Sequence, residues 1–211
     1  SGDWSSDVCS SDLGNGNALE LFKNKTPFIQ GLELNNDALT KVKNKNIVVH
    51  NETIQKFSNN TEKEFDIVCA FQLLEHISEV KDLIDSCIKV LKPGGKLIFS
   101  VPNNDSFGHQ YNVLNLPPHH MGLWNKEAFK KLEHFFPITL KKTFYSPLDS
   151  SQEKDFEKFY KNYFGNKPPI VRSISRFPFL FKHLVSSRKK GYSILVVFEK
   201  NKRDENSIWH Q

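Results

Sequence analysis

An α/β fold built on a mostly parallel sheet, with helices on both faces, is predicted by three features of the chain. Strand-like apolar runs alternate with helix-like segments from Gly14 onward. One run, Phe65–Phe71 (FDIVCAF), is apolar almost throughout. A strand buried on both faces of a parallel sheet needs that pattern, and alternation with helices supplies the covering layers. Near the carboxy terminus two strand-like runs, Ile138–Tyr145 and Tyr192–Glu199, lack a regular helix between them. This predicts one antiparallel carboxy-terminal strand, at the sheet edge, and a helical insert before the last strand.

Asn17–Asn24 carries its apolar residues on one helical face, Phe28–Leu34 (FIQGLEL) is a short apolar run ending in acid, and Asp37–Lys43 reads as a polar helix. Asn46–His50 (NIVVH) is a strand by its β-branched residues. Glu79–Leu91 places Val80, Leu83, Ile84, Cys87, Ile88 and Leu91 at helical spacing, the strongest such pattern in the chain. Pro93-Gly94-Gly95 is expected to end that helix, with a strand resuming over Lys96–Val101. Asn125 is expected to cap a helix that runs to about Phe135.

Length and composition bound the rest. At 211 residues the chain suits one sizeable domain and is too short for two. Hydrophobic residues at 38% are enough to build a core, which argues against wholesale disorder. No uncharged apolar run reaches the length of a spanning helix, and no basic end leads into an apolar stretch, so neither a span nor a signal peptide is expected. Cys9, Cys69 and Cys87 have no metal-type spacing and cannot all pair, which fits a reducing, cytoplasmic setting. The net charge of +5 is mild and does not by itself indicate nucleic acid.

Residues 1–13 (SGDWSSDVCSSDL) stand apart. They are Ser/Asp-rich, nearly repeat themselves and show no helix or strand period. The segment resembles the conceptual translation of a sequencing adapter fused to an open reading frame. It is expected to be a non-native or disordered amino terminus. The division is therefore 1–13, a domain at 14–200 with its insert at 146–190, and a polar tail at 201–211.

Candidate chemistry sits at the predicted strand ends, where open α/β sheets place ligands. Gly14-Asn15-Gly16 allows close backbone approach and opens a helix with free amide donors. Glu33 ends the next strand, 17 residues after Gly16, where an acid accepts hydrogen bonds from ribose hydroxyls. Asn51-Glu52-Thr53 either meets an adenine amino group or caps a helix. Asn103-Asn104-Asp105 reads as a loop, and no metal cluster is visible in the sequence.

The ordered set GNGN, GLEL, FDIV…LLEHI and VLKPGGKLIFSVPN resembles class I S-adenosylmethionine-dependent methyltransferases. It is most similar to the small-molecule branch that includes ubiquinone-biosynthesis O-methyltransferases, over residues 14–145 and 192–199. The first motif departs from the family pattern: either Asp12-Leu13-Gly14-Asn15-Gly16 occupies it, with Ala18 in place of a later glycine, or Gly14 and Gly16 are its last two glycines and the adapter-like segment replaces the strand and first glycine.

The resemblance implies a Rossmann-like domain that binds S-adenosyl-L-methionine and methylates a small molecule, with oxygen the expected acceptor atom. Gly14 and Gly16 would flank the methionine moiety, Glu33 would bind the ribose and Glu52 would lie near the adenine. Ala70, Phe71 and Gln72 would line the methionine end and the substrate mouth. Glu75 and His76 are family hallmarks, with His76 expected at the substrate site. Pro117-Pro118-His119-His120 precedes Trp124, and similar segments border the substrate site in relatives. His119 or His120 would serve as general base, or one would bond a backbone group while Trp124 packs.

The insert leaves alternatives open. Residues 165–190 contain seven Lys or Arg and no acid, interleaved with Phe177, Phe179 and Phe181. Such a segment either forms a cap with solvated charges or touches an anionic membrane. No nucleic-acid partner is expected. A non-catalytic binding module and a membrane-surface protein remain the alternatives to an enzyme.

Overall fold

The computed structural model describes residues 8–11, 22, 26, 28–43, 47–106, 113–147, 154, 158, 162, 166 and 191–202. The described chain runs β1 (Val8–Ser11), β2 (Ile29–Leu32), α1 (Asn36–Lys43), β3 (Val48–His50), α2 (Ile54–Asn60) and β4 (Phe65–Phe71). It continues with α3 (Val80–Lys89), β5 (Leu91–Pro102), α4 (Lys126–Lys131), β6 (Ile138–Tyr145) and β7 (Ser193–Lys200). The seven strands form one sheet in the order β3-β2-β1-β4-β5-β7-β6. The direction of strand order reverses between β1 and β4, the crevice where such sheets bind ligands.

Order in Val8–Ser11 corrects the expectation of a disordered amino terminus. Val8–Ser11 is a strand at the middle of the sheet, paired in parallel with both β2 and β4. Val8 and Cys9 are buried against the sheet's neighbours. Two apolar residues are too few to set a period, and the neighbouring strands, not local pattern, define this element.

β4 carries the apolar run expected of a doubly covered strand, with Phe65, Val68, Cys69 and Ala70 all buried. On one face the sheet packs against Ile54 and Phe57 of α2, Leu83, Ile84 and Cys87 of α3, and Phe129 of α4. On the other, Val8, Ile29, Ile47 and Cys69 form a smaller cluster with Phe22 packed beside it. All three thiols are buried, and desolvation, with Cys69 nearby, pushes the Cys87 thiol up to about 12. They behave as small apolar groups in the core.

α3 ends earlier than its periodicity suggests. Leu91 belongs to β5, pairing with Phe65, and Pro93-Gly94-Gly95 lies inside that strand as an irregularity between the Phe65 and Ile67 pairings. Gly94 has φ +79°, a conformation that glycine adopts without steric cost. A local extra length in the strand, rather than a separate turn, absorbs the break.

The carboxy-terminal strands also need one correction. β7 is the antiparallel member, but it lies between β5 and β6 and pairs with both, so β6 is the edge. Placing β7 inside buries Ile194, Val196 and Phe198 completely, which its alternating pattern requires. The base of the insert is clasped where it leaves and rejoins the sheet: Ser146 N donates to the Ser193 carbonyl and Ser193 N donates to Ser146 Oγ. A side chain at Gly191 would place its Cβ 1.9 Å from the Ser146 carbonyl oxygen, so only glycine fits this crossing. Asn125 caps α4 as expected, accepting from Ala128 N at 2.8 Å; a short 3₁₀ turn, Leu132–His134, continues it.

Candidate functional site

Two neighbouring features occupy the carboxyl ends of the parallel strands. The first is a cleft of about 360 Å³ beside the ends of β2 and β3. Glu33 and Glu52 both line it, as do Leu34, Ile54, Leu73 and Ile77. Glu33 follows β2 directly. Its backbone N donates to the His50 carbonyl at 3.1 Å, and its Oε1 accepts from Asn35 N at 2.8 Å. The carboxylate is only 7% exposed, so it is held in place rather than left as a surface acid. Thr53 caps α2, its hydroxyl accepting from Lys56 N, so capping belongs to Thr53 while Glu52 faces the cleft.

Apolar walls with one fixed carboxylate suit a flat heterocycle joined to a hydroxylated sugar. The donor set therefore fits an adenosine group: Glu33 as hydroxyl acceptor and the leucine and isoleucine side chains against the ring. Gly14 and Gly16, expected at the methionine end, lie outside the described residues.

The second feature begins where β4 ends. Ala70 is buried and Phe71 half-buried, and Gln72 has φ +53°, an uncommon left-handed conformation for a residue with a side chain. Gln72 N donates to the Ser100 carbonyl at 2.7 Å and its Nε2 to Ser100 Oγ at 3.4 Å. This reversal turns the chain into the 3₁₀ turn Leu74–His76. There it meets the loop carrying His119 and His120. Met121 N and Gly122 N both donate to the Glu75 carbonyl, at 2.7 and 3.1 Å. His76 Nδ1 lies 2.7 Å from the His119 carbonyl oxygen.

The result is a compact group of three imidazoles and a carboxylate. The His76 ring centroid is 5.4 Å from that of His119 and 5.0 Å from that of His120, and the rings of His119 and His120 stack at 5.0 Å. Side-chain donor atoms of Glu75, His76 and His120 lie within 4.8 Å of one another. Sequence spacing could not show this grouping, because 43 residues separate His76 from His119.

Trp124 takes the packing role: it is 9% exposed, and its ring stacks on Phe129 at 4.9 Å. Gly122 lies against its indole nitrogen, where an added Cβ would come within 2.8 Å. Asn103, read from sequence as part of a plain loop, is fully buried. Its Nδ2 donates to the Gly191 carbonyl and its Oδ1 accepts from Asp105 N. It thus ties the end of β5 to the base of the insert. An Asn at the end of a strong strand was the available signal, but Asx residues at strand ends are common in ordinary turns.

Comparison with known proteins gives the same picture. A methyltransferase domain family matches residues 12–145, more than half of the chain. Among curated relatives, a mitochondrial ubiquinone biosynthesis O-methyltransferase of Dictyostelium discoideum is 32% identical over 123 residues, covering 51% of this chain and 38% of that protein. A ubiquinone biosynthesis O-methyltransferase of Pseudomonas putida is 25% identical over 114 residues, covering 46% of this chain and 47% of that one. The chain thus spans half or less of the length of these relatives.

Among solved structures, a SAM-dependent methyltransferase from Archaeoglobus fulgidus superposes with TM-score 0.62 at 16% identity, covering 94% of this chain and 88% of that one. The N-methyltransferase NodS of Bradyrhizobium japonicum, solved with S-adenosyl-L-homocysteine, gives TM-score 0.59 at 14% identity over 92% and 78% of the two chains. At these identities the structures speak to the fold. With the strand order, the strand-end cleft and the matched residues in agreement, the chain belongs to the methyltransferase domain family.

Proposed function

We propose that the protein transfers a methyl group from S-adenosyl-L-methionine to a hydroxyl oxygen of a small-molecule acceptor. The observation that carries this reading is the cleft in which Glu33 and Glu52 converge beside the ends of β2 and β3. Glu33 would accept from the ribose hydroxyls and Glu52 would lie by the adenine. Ala70, Phe71 and Gln72 would border the reactive end, and the described turn at Gln72 gives them a defined backbone there. Gly14 and Gly16 would hold the methionine moiety. The bound sulfonium supplies an activated methyl group; the chain's task is to align the acceptor and exclude water, and alignment alone can account for much of the rate.

Oxygen, rather than nitrogen, is favoured by the imidazole–carboxylate group next to that end. A hydroxyl must lose its proton during transfer, and bases of this type serve that purpose. His119 and His120 would border the acceptor. The similarity to ubiquinone biosynthesis O-methyltransferases supports the same class of acceptor.

The test is calorimetric titration with S-adenosyl-L-homocysteine. Micromolar binding that is lost in Glu33→Ala is expected, and binding that survives unchanged would overturn the cofactor assignment. We also propose that residues 1–13 are a translated adapter standing in for a more apolar first strand. Replacing them with an apolar strand should then raise cofactor affinity, and an unchanged or lower affinity would count against it. A peripheral contact with anionic membranes through residues 165–190, which lie outside the described residues except for Asn166, rests on their charge pattern. Salt-sensitive binding to phosphatidylserine vesicles tests it.

A further inference from the structure

We propose that His76 is the catalytic base that takes the proton from the acceptor hydroxyl, with Glu75 stabilising the charged ring and the His119 backbone setting its tautomer. This rests on the oxygen-methylation reading above. The backbone specifies how the neutral His76 ring is protonated. Its Nδ1 sits 2.7 Å from the His119 carbonyl oxygen. A carbonyl can only accept, so Nδ1 carries the hydrogen and the neutral ring keeps its lone pair on Nε2.

Nε2 in turn lies 4.0 Å from Glu75 Oε1. That separation is too long for a hydrogen bond, and it places the Glu75 carboxyl group beside the nitrogen that would receive the proton. Glu75 is 2% exposed, so water screens the pair only weakly from that side.

Access separates His76 from its neighbours. The His76 side chain is 39% exposed, whereas His120 is 9% exposed. His119 is exposed but contributes its carbonyl as the anchor, and its ring lies nearly flat on His120, with 13° between the planes. Among the described residues, Glu75, His119 and His120 are the titratable groups that face the ring from the two elements packed against it. The turn bearing His76 follows the carboxyl end of β4, one of the two strands at the point where strand order reverses, and open α/β sheets bind ligands there.

The acceptor O–H bond breaks and its proton passes to Nε2. The oxygen electron pair forms the new O–CH₃ bond while the S–CH₃ bond breaks and leaves its pair on sulfur. A methyl ether and a neutral thioether result, and the imidazolium returns its proton to solvent.

The test uses His76→Asn in the full chain. The asparagine amide can still donate to the His119 carbonyl, but it is no base. Three readouts are taken on wild type and variant. S-adenosyl-L-homocysteine affinity by calorimetry is expected to be unchanged. Methyl transfer to catechol is expected to fall by about 10²-fold or more, within the range for loss of a general base, and to 4-nitrocatechol, largely ionised at neutral pH, by less than about fivefold. Long-range ¹H–¹⁵N NMR of the wild type is expected to show His76 with its hydrogen on Nδ1.

Equal losses on both phenols, no loss on catechol, or a hydrogen on Nε2 would each overturn the proposal. Transfer abolished by a chelator and restored by a divalent cation would also overturn it, in favour of a cation between Glu75, His76 and His120. A wild type that binds S-adenosyl-L-homocysteine but methylates neither phenol overturns the oxygen reading and this role together. A wild type that fails to bind it overturns the cofactor reading instead, and the ring tautomer still decides whether His76 is set up as a base.

Discussion

The acidic cleft and the histidine cluster lie next to each other on one edge of the sheet, yet they are built in opposite ways. The cleft takes its polar groups from residues within two positions of the ends of two adjacent strands: Glu33 after β2 and Glu52 after β3. Once parallel strands pair in register, their carboxyl ends are neighbours, and an acid placed there cannot be elsewhere. The cluster instead joins a turn after β4 to a loop more than 40 residues later, through hydrogen bonds to the Glu75 and His119 carbonyls. One region follows from strand pairing. The other depends on how a loop docks, and a docked loop is free to vary without disturbing the sheet.

The sharpest way to break this separation is through the core that the loop leans on. Phe129 packs with Trp124, Phe99 and Phe198, and Trp124 belongs to the segment that carries the histidines. Phe129→Ala should lower stability by about 3–5 kcal/mol in urea unfolding. Hydrogen exchange in the variant should rise over 113–124 more than over β2 and β3. Equal loosening of both regions would show that they are one cooperative unit.

A smaller effect is expected from the cleft alone. Glu33→Ala should weaken S-adenosyl-L-homocysteine binding by about 1.5–3 kcal/mol, the range for a hydrogen bond to a charged group, roughly a 10- to 150-fold rise in Kd. His119→Ala should leave that Kd within about twofold, since His119 is not among the residues lining the cleft. A large change from His119→Ala would mean that the two regions are coupled.

Asn125 tests how much the loop's far end matters. Asn125→Ala removes the acceptor for Ala128 N and should cost about 1 kcal/mol, read as a lower thermal midpoint. Cofactor affinity should not move.

The smallest effect is electrostatic and far from both regions. Lys96, through a side-chain hydrogen bond, and Lys141 hold the Glu199 carboxyl below the usual glutamate range. A carboxyl with a depressed folded pKa contributes stability above its unfolded pKa and loses it as pH falls through the folded one. Thermal midpoints of wild type and Glu199→Gln should therefore differ slightly at pH 7 and converge as pH falls through the lowered folded pKa of the carboxyl. Salt should shrink the difference, because these side chains are partly exposed.

The fold was legible where packing repeats a local period. FDIVCAF spelled out β4 to the residue, and the spacing from Val80 to Ile88 gave α3. Where pairing decides, local pattern misled. Val8–Ser11 has too few apolar residues to announce a strand, and Leu91 continues the helical spacing of α3 but is recruited by Phe65 into β5. The interior position of β7 was equally hidden, because an antiparallel strand carries the same alternation at an edge or inside.

The sequence by itself determined the α/β class, the acids at the ends of β2 and β3, and the capped helix after Asn125. Each is specified by residues within a few positions of one another, through periodicity, strand-end placement or a side chain bonding its own backbone. Only the tertiary structure decided that the His76 ring meets the His119 carbonyl, that Trp124 is a core residue, and that Asn103 ties β5 to the base of the insert. Those properties belong to contacts between segments dozens of residues apart. The free energy of forming such contacts is set by docking surfaces that no single stretch of the chain contains.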